Sequence, residues 1–171
     1  KQLSLAMEAA RTVIPEVFAD LERLTGRAYP VLDAYRMDDA EAAVVLINSS
    51  AETAKETADA LRGRGEKVGV LSPNVLRPFP GEEFRRALRS VKAVTIGDRA
   101  DSYGAGGGNL ALEVKAAIQQ DPENRTLALS RVYGLGGRDF FDADAEQFFE
   151  DSLAAGRDGR VAVPFAYHGA T

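Results

Sequence analysis

The chain has 171 residues, 45% of them hydrophobic, enough to bury one ordinary core and to make a single domain with at most a short appendage. A formal charge of −5, with the basic residues scattered along the chain, excludes a nucleic-acid track and an anionic-membrane surface. The absence of cysteine excludes disulfides, iron–sulfur ligation, thiolate zinc and a cysteine nucleophile within the chain. The first predicted element is a helix in "LSLAMEAARTVIPEVFADLERLTG", where Ala10, Val13, Ile14, Val17, Leu21 and Leu24 form one apolar stripe. Gly26 stands where a left-handed cap would end it, and Pro15 predicts a kink or two abutting helices. "AYPVLDAYRMDDAE" reads as an extended connector.

A rhythm begins at residue 43. "AVVLINSS" is a continuous apolar run, as expected of a strand buried on both faces. Ser49 and Glu52 have the spacing of a capping box that opens a helix through Leu61, stopped by Gly63 and Gly65. "KVGVLS" is a second strand, followed by the proline-rich loop "PNVLRPFPG" and the short helix "EEFRRALRS". "AVTIGD" is a third strand, leading through a glycine loop into the helix "NLALEVKAAIQQ". "TLALSRVYG" is a fourth, followed by "LGGRDFFDAD" and a helix expected to end before Gly156. Strands alternating with helices predict a three-layer α/β/α fold with an open, mostly parallel sheet, because parallel strands require crossovers. The expected division is a helical lead-in and connector over 1–42, an α/β domain over 43–156, and a tail over 157–171 that adds an edge strand or wraps the surface.

Ligands of such sheets bind beyond the carboxyl ends of the strands, where this chain places three loops: Asn48 to Ser50, Ser102 to Asn109, and Gly134 to Arg138. The middle loop invites a phosphate, with Ser102, Gly104, Gly106 and Gly107 as its candidate contacts. It departs from the dinucleotide fingerprint, because "GAGGGN" has Asn109 in place of the third glycine and the loop follows the third strand rather than the first. No acid follows at the ribose spacing, and no Walker lysine is present. A tight turn that permits close backbone approach is the competing reading. Gly136 and Gly137 similarly permit a sharp strand exit, after which Arg138 and Asp139 pair locally or meet a partner. The acids Asp139, Asp142, Asp144 and Glu146 lack the glycine and bidentate acid of a calcium loop and suit a helix start instead. His168, the only histidine, has no companion ligand or nucleophile around it, and Ser49 and Ser50 lack a nucleophile elbow. No self-contained catalytic group or metal site emerges. In "LRPFPGEEF", Pro78 and Pro80 stiffen a loop that presents Arg77 and Phe79 to an interface or to the domain's own core.

Taken in order, "DAEAAVVLINSSAETAKETADALRGRGEKVGVLSPNVLRPFP", "DRADSYGAGGGNLALEV" and "VYGLGGRD" resemble the second domain of the alpha chain of pyruvate:ferredoxin oxidoreductases and related 2-oxoacid:acceptor oxidoreductases. "GRAYPVLDAYRMDDAEAA" resembles the family's lead-in. The resemblance implies a domain like the C-terminal domain of transketolase. It also implies a non-catalytic structural and assembly role in a thiamine-diphosphate-dependent enzyme. That enzyme oxidatively decarboxylates a 2-oxoacid, pyruvate by expectation, to an acyl-coenzyme A and reduces ferredoxin. Thiamine diphosphate, magnesium, iron–sulfur clusters and coenzyme A belong, on this resemblance, to the complete enzyme and not to this chain. The implied partners are the other domains or subunits of the oxidoreductase, and ferredoxin through the complete enzyme. Arg77 to Pro80 match the family's R-P-F-P loop, Asp98 and Arg99 its D-R pair, and Gly134 to Asp139 its G-L-G-G-R-D turn. Arg77, Phe79, Arg99, Arg138 and Asp139 are the interface candidates. Asn74 stands where a basic residue is expected. The alternatives are a free-standing phosphate- or nucleotide-binding module and the equivalent domain of another transketolase-like enzyme. No apolar run reaches transmembrane length and no signal segment opens the sequence, so a cytoplasmic protein without membrane partners is expected. The opening Lys1 suggests a fragment of a longer protein, inactive alone.

Overall fold

Strands that are apolar at successive positions need cover on both faces, and the sheet provides it. The protein is represented by a computed structural model that describes residues 1–169. Among these residues the strands are β1 (Leu32–Tyr35), β2 (Ala42–Val45), β3 (Val68–Pro73), β4 (Ala93–Asp98), β5 (Leu127–Val132) and β6 (Phe165–Tyr167), arranged β1-β3-β2-β4-β5-β6. β2 to β6 run parallel, and β1 pairs antiparallel with β3 at one edge. Ala42 sits opposite Val68 on one side and Ala93 on the other, which aligns the carboxyl ends of the central strands. The three-layer, mostly parallel α/β/α architecture expected from the sequence is the one observed.

The helices are α1 (Gln2–Thr25), α2 (Ser49–Gly63), α3 (Gly81–Leu88), α4 (Asn109–Gln119) and α5 (Asp142–Asp158). Along β2, Ala43 and Val45 join Phe84, Leu88 and Val114 in the core beneath α3 and α4. Ala42 and Val44 point the other way, into the core that α2 and α5 close with Leu61, Phe148 and Phe149. Both faces are thus dry, which explains runs without alternation. The steps from β4 to β5 and from β5 to β6 go the same way across the sheet, yet α4 and α5 lie on opposite faces. The α5 crossover therefore has the opposite hand to the other three, an uncommon arrangement. It lays α5 behind β2 and β4, where Ser152 Oγ bonds Thr95 Oγ1 (2.7 Å) and donates to the Ala43 carbonyl (2.9 Å).

Several local expectations need correction. The connector contains β1, a four-residue edge strand. The Ser49–Glu52 capping box does not form: Asn48 takes the cap position with φ 56°, Ser50 is buried, and Glu52 pairs with Lys55 at 2.7 Å. α5 continues through Gly156 and stops at Gly159, whose φ of 64° is the left-handed cap. Gly156 is where Lys92 packs against the helix, since an added Cβ would come within 3.2 Å of Lys92 Cβ. α1 is one helix rather than two abutting ones, and Pro15 lies inside it. Gly26 caps it as expected, with φ 71° and its N–H donating to the Glu22 carbonyl at 2.8 Å. The tail forms the edge strand β6, and its last two positions, 170–171, lie outside the described residues.

Candidate functional site

At the carboxyl edge, the loops leaving β2, β3 and β4 and the first turn of α4 enclose a cleft of about 480 Å³. Ile47, Leu76, Phe79 and Leu110 give it an apolar floor, while Arg77, Arg99, Asn109 and Glu113 stand at its rim. The strand order explains the meeting. β3 and β4 flank β2, so the R-P-F-P loop after β3 and the D-R pair ending β4 face each other across it, although they lie 20 residues apart in sequence.

The interface candidates divide. Arg77 and Arg99 line the cleft and remain exposed; Arg77 Nη2 reaches Glu113 Oε1 at 2.7 Å. Phe79 also lines it but is half-buried, its ring stacked on Phe84 at 5.3 Å between centroids, so it serves the core as well. Arg99 lies over the ring of Tyr133 at 5.7 Å and donates from Nη2 to the Arg138 carbonyl at 2.9 Å. Through that bond the second glycine cluster is tied to the cleft. Asp139 stands apart, exposed, and among the described residues makes no ion pair with Arg138. Asn74, where a basic residue was expected, donates Nδ2 to the Pro30 carbonyl at 2.7 Å and fastens the β3 exit to the lead-in.

The glycine loop is organised around Asp98. This carboxylate is 8% exposed and accepts from the backbone N–H groups of Leu110 (2.8 Å) and Ala111 (3.0 Å). Burial drives its pKa above the ordinary carboxylate value, against the opposing pull of those two amides and Lys115. An anion arriving at the start of α4 would meet these amides already engaged by an internal carboxylate. Of the candidate phosphate contacts, Ser102 donates Oγ to Asn109 Oδ1 at 2.7 Å, and Gly104 and Gly106 form the exposed crest with φ 82° and 69°. Gly107 is buried against Ser130. The sequence reading missed Glu113 as the partner of Arg77, Asp98 as the cap of α4, and Arg11, whose Nη1 donates to the Phe79 carbonyl at 3.1 Å. The one available signal was Gly108 at an N-cap position, which leaves a helix start without its own capping side chain.

His168 and the acidic run are used in packing. His168 Nε2 bonds Asp144 Oδ1 at 2.7 Å and meets Phe148 edge-on, while Glu146 pairs with Arg64 at 2.5 Å. Asp144 Oδ2 also accepts from the Phe141 N–H at 2.8 Å. Burial works against its charge, but that amide and His168 hold its pKa below the ordinary carboxylate value. The folded state therefore binds this proton less tightly than the unfolded chain does. The stabilisation is present above the ordinary pKa and is lost as pH falls through the lowered one. Asp144→Asn should cost about 1 kcal/mol at neutral pH. Urea titrations at neutral and strongly acidic pH should show that gap closing in acid; a gap of constant size would refute the assignment.

The residues present do not suit the metal groups implied by the resemblance. The sequence has no cysteine for a cluster, and among the described residues no three His, Asp or Glu side chains gather to hold an ion.

An open, mostly parallel sheet with one antiparallel edge, carrying a cleft of loops at its carboxyl ends, defines a three-layer α/β/α domain. Two solved structures share the fold. The chain matches a 2-oxoglutarate:ferredoxin oxidoreductase from Magnetococcus marinus, solved with 2-oxoglutarate, coenzyme A and succinyl-CoA bound, with a TM-score of 0.54 and 15% identity over 73% of this chain and 20% of that one. It matches a split-gene transketolase in an inactive beta4 tetramer with a TM-score of 0.50 and 14% identity over 81% of this chain and 44% of that one. The particular family follows from sequence: the profile of the pyruvate:ferredoxin oxidoreductase core domain II matches residues 40–144, and the chain belongs to that family. The pyruvate synthase subunit PorA of Thermotoga maritima is 40% identical over 148 residues, 86% of this chain but only 37% of that subunit. No helix among the described residues is long and apolar enough to cross a membrane.

Proposed function

We propose that this chain is the non-catalytic assembly domain of the alpha subunit of a thiamine-diphosphate-dependent, cytoplasmic pyruvate:ferredoxin oxidoreductase, and that its carboxyl-edge cleft seats a neighbouring domain. The observation that carries this reading is how the charged groups of the cleft are used. Asp98 caps α4, Glu113 neutralises Arg77, and Arg99 is held over Tyr133 and bonded to the Arg138 carbonyl. Groups so engaged shape a surface. They present an apolar floor with an arginine rim, the composition of an interface centre. The oxidative decarboxylation of pyruvate to an acyl-coenzyme A rests on thiamine diphosphate, magnesium, iron–sulfur clusters and coenzyme A, which this reading assigns to the other domains and subunits. Ferredoxin then meets the complete enzyme.

The test is coexpression with the remaining parts of a PorA-type enzyme. Arg77→Ala, at an exposed position, should leave the melting temperature of the chain near its parent value while weakening copurification about tenfold or more. Phe79→Ala should weaken both, because its ring also stacks on Phe84. Unchanged assembly and turnover in both variants would overturn the proposal.

A further inference from the structure

α1 has 24 residues, about 36 Å of helix, and none of them is buried. Apolar residues recur at steps of three and four through Met7, Ala10, Ile14, Val17, Leu21 and Leu24, the spacing of a helix that seats against another surface. Met7, Ala10 and Ile14 are half-buried, but the C-terminal half of the stripe is left open: Val17 is 56% exposed and Leu24 85%, with Val13 and Leu21 exposed beside them. One edge leans on the chain's own body, where Ile14 and Pro15 border a small cleft with Val31, Val75, Pro78 and Pro80. Arg11 fastens the same edge to the R-P-F-P loop through the Phe79 carbonyl.

We infer that the open face of α1 is a docking surface for the part of a PorA-type subunit that lies outside this chain. The inference rests on the reading above that the chain is one domain of such a subunit. Two observations choose this occupant over a second copy of α1. The matched segment is 37% of the Thermotoga maritima subunit, so most of such a polypeptide lies beyond the match, and it is tethered to the domain that displays the stripe. A symmetric two-helix coil, by contrast, needs every seam position free and charged residues flanking it. Here Ile14 faces its own domain. The flanking positions are Ser4, Ala6, Val13, Phe18 and Thr25, with Arg11 and Asp20 the only charges, and Arg11 is already bonded to Glu8 and the Phe79 carbonyl. The stripe therefore fits an apolar face of different shape rather than its own image.

The cysteine-free sequence allows a direct test. Single cysteines are placed on the stripe (Val17→Cys, Leu24→Cys) and on the opposite side of the helix (Thr12→Cys). Maleimide labelling rates are then measured for the chain alone and for the complex copurified with the rest of a PorA-type enzyme. Val17→Cys and Leu24→Cys should label about tenfold more slowly in the complex, with Thr12→Cys unchanged. Stripe cysteines that keep their free rate in an intact complex overturn this inference alone and leave the assembly role standing. Failure to copurify overturns both. Protection of the stripe in the isolated chain that grows with its concentration shows a second copy as the occupant and also overturns the inference.

Discussion

Asp98→Ala should lower the unfolding free energy by about 3 kcal/mol, two charge-assisted backbone bonds being lost from a buried site. In a domain of this size that corresponds to a fall of roughly 6–12 °C in melting temperature. The carboxylate closes the first turn of α4 by accepting from the Leu110 and Ala111 N–H groups, and its own carbonyl accepts from the Tyr133 N–H at 2.9 Å. Truncation leaves two amides orphaned where water has little access. It also removes the negative charge that partly offsets the burial of Lys115, whose ammonium is pushed below its ordinary pKa. Asp98→Asn keeps the shape but offers one acceptor in place of two, and should cost about half as much. The pH dependence has the opposite sign to that of Asp144. Burial raises the Asp98 pKa, so the folded state binds this proton more tightly than the unfolded chain, and the contribution of the group declines as pH rises from the ordinary carboxylate value through the raised one. Circular-dichroism melts of both variants decide the matter. A change under about 2 °C for Asp98→Ala would show that α4 does not depend on this cap.

The central strands were legible in the sequence because each is buried on both faces, which turns packing into an unbroken apolar run. β1 was not legible: "LDAY" is only four residues long, buries Leu32 alone, and sits between Pro30 and the acids that follow. One helix stop and one helix start failed where packing overruled a local rule. Gly156 reads as a terminator, but it lies inside the last turn of α5, where Lys92 packs on it. Ser49 and Glu52 have capping-box spacing, but the turn out of β2 puts Asn48 at the cap with a positive φ. Arg77, Phe79 and Arg99 could be named from their motifs, whereas their meeting in one cleft depends on β3 and β4 both flanking β2, an order that no single motif encodes. Asp98 was legible only as half of a D-R pair, because the amides it serves lie 12 and 13 residues further on. Capping rules look one to three residues ahead, and this cap is tertiary.

Gly108→Ala should be as damaging as loss of Asp98, costing about 3 kcal/mol or more through overpacking. A Cβ added here would overlap Asp98 Cβ and Cγ and lie 2.6 Å from Oδ2. Asp98 cannot step aside, being pinned by the Leu110 and Ala111 amides and joined through its carbonyl to Tyr133. Gly104→Ala is the informative comparison. Nothing lies within 4 Å of a Cβ there, and the only penalty is the left-handed backbone at φ 82°, worth about 1 kcal/mol. Combining Gly108→Ala with Asp98→Ala should bring no rescue, because the Asp98 Cβ, which alanine keeps, is among the atoms overlapped. Thermal melts of the two single variants and the pair test this ordering. If Gly108→Ala proves as mild as Gly104→Ala, close approach to Asp98 is not why the loop carries its last glycine. If the ordering holds, the crest glycines shape the turn and the buried ones let it settle onto β4 and β5.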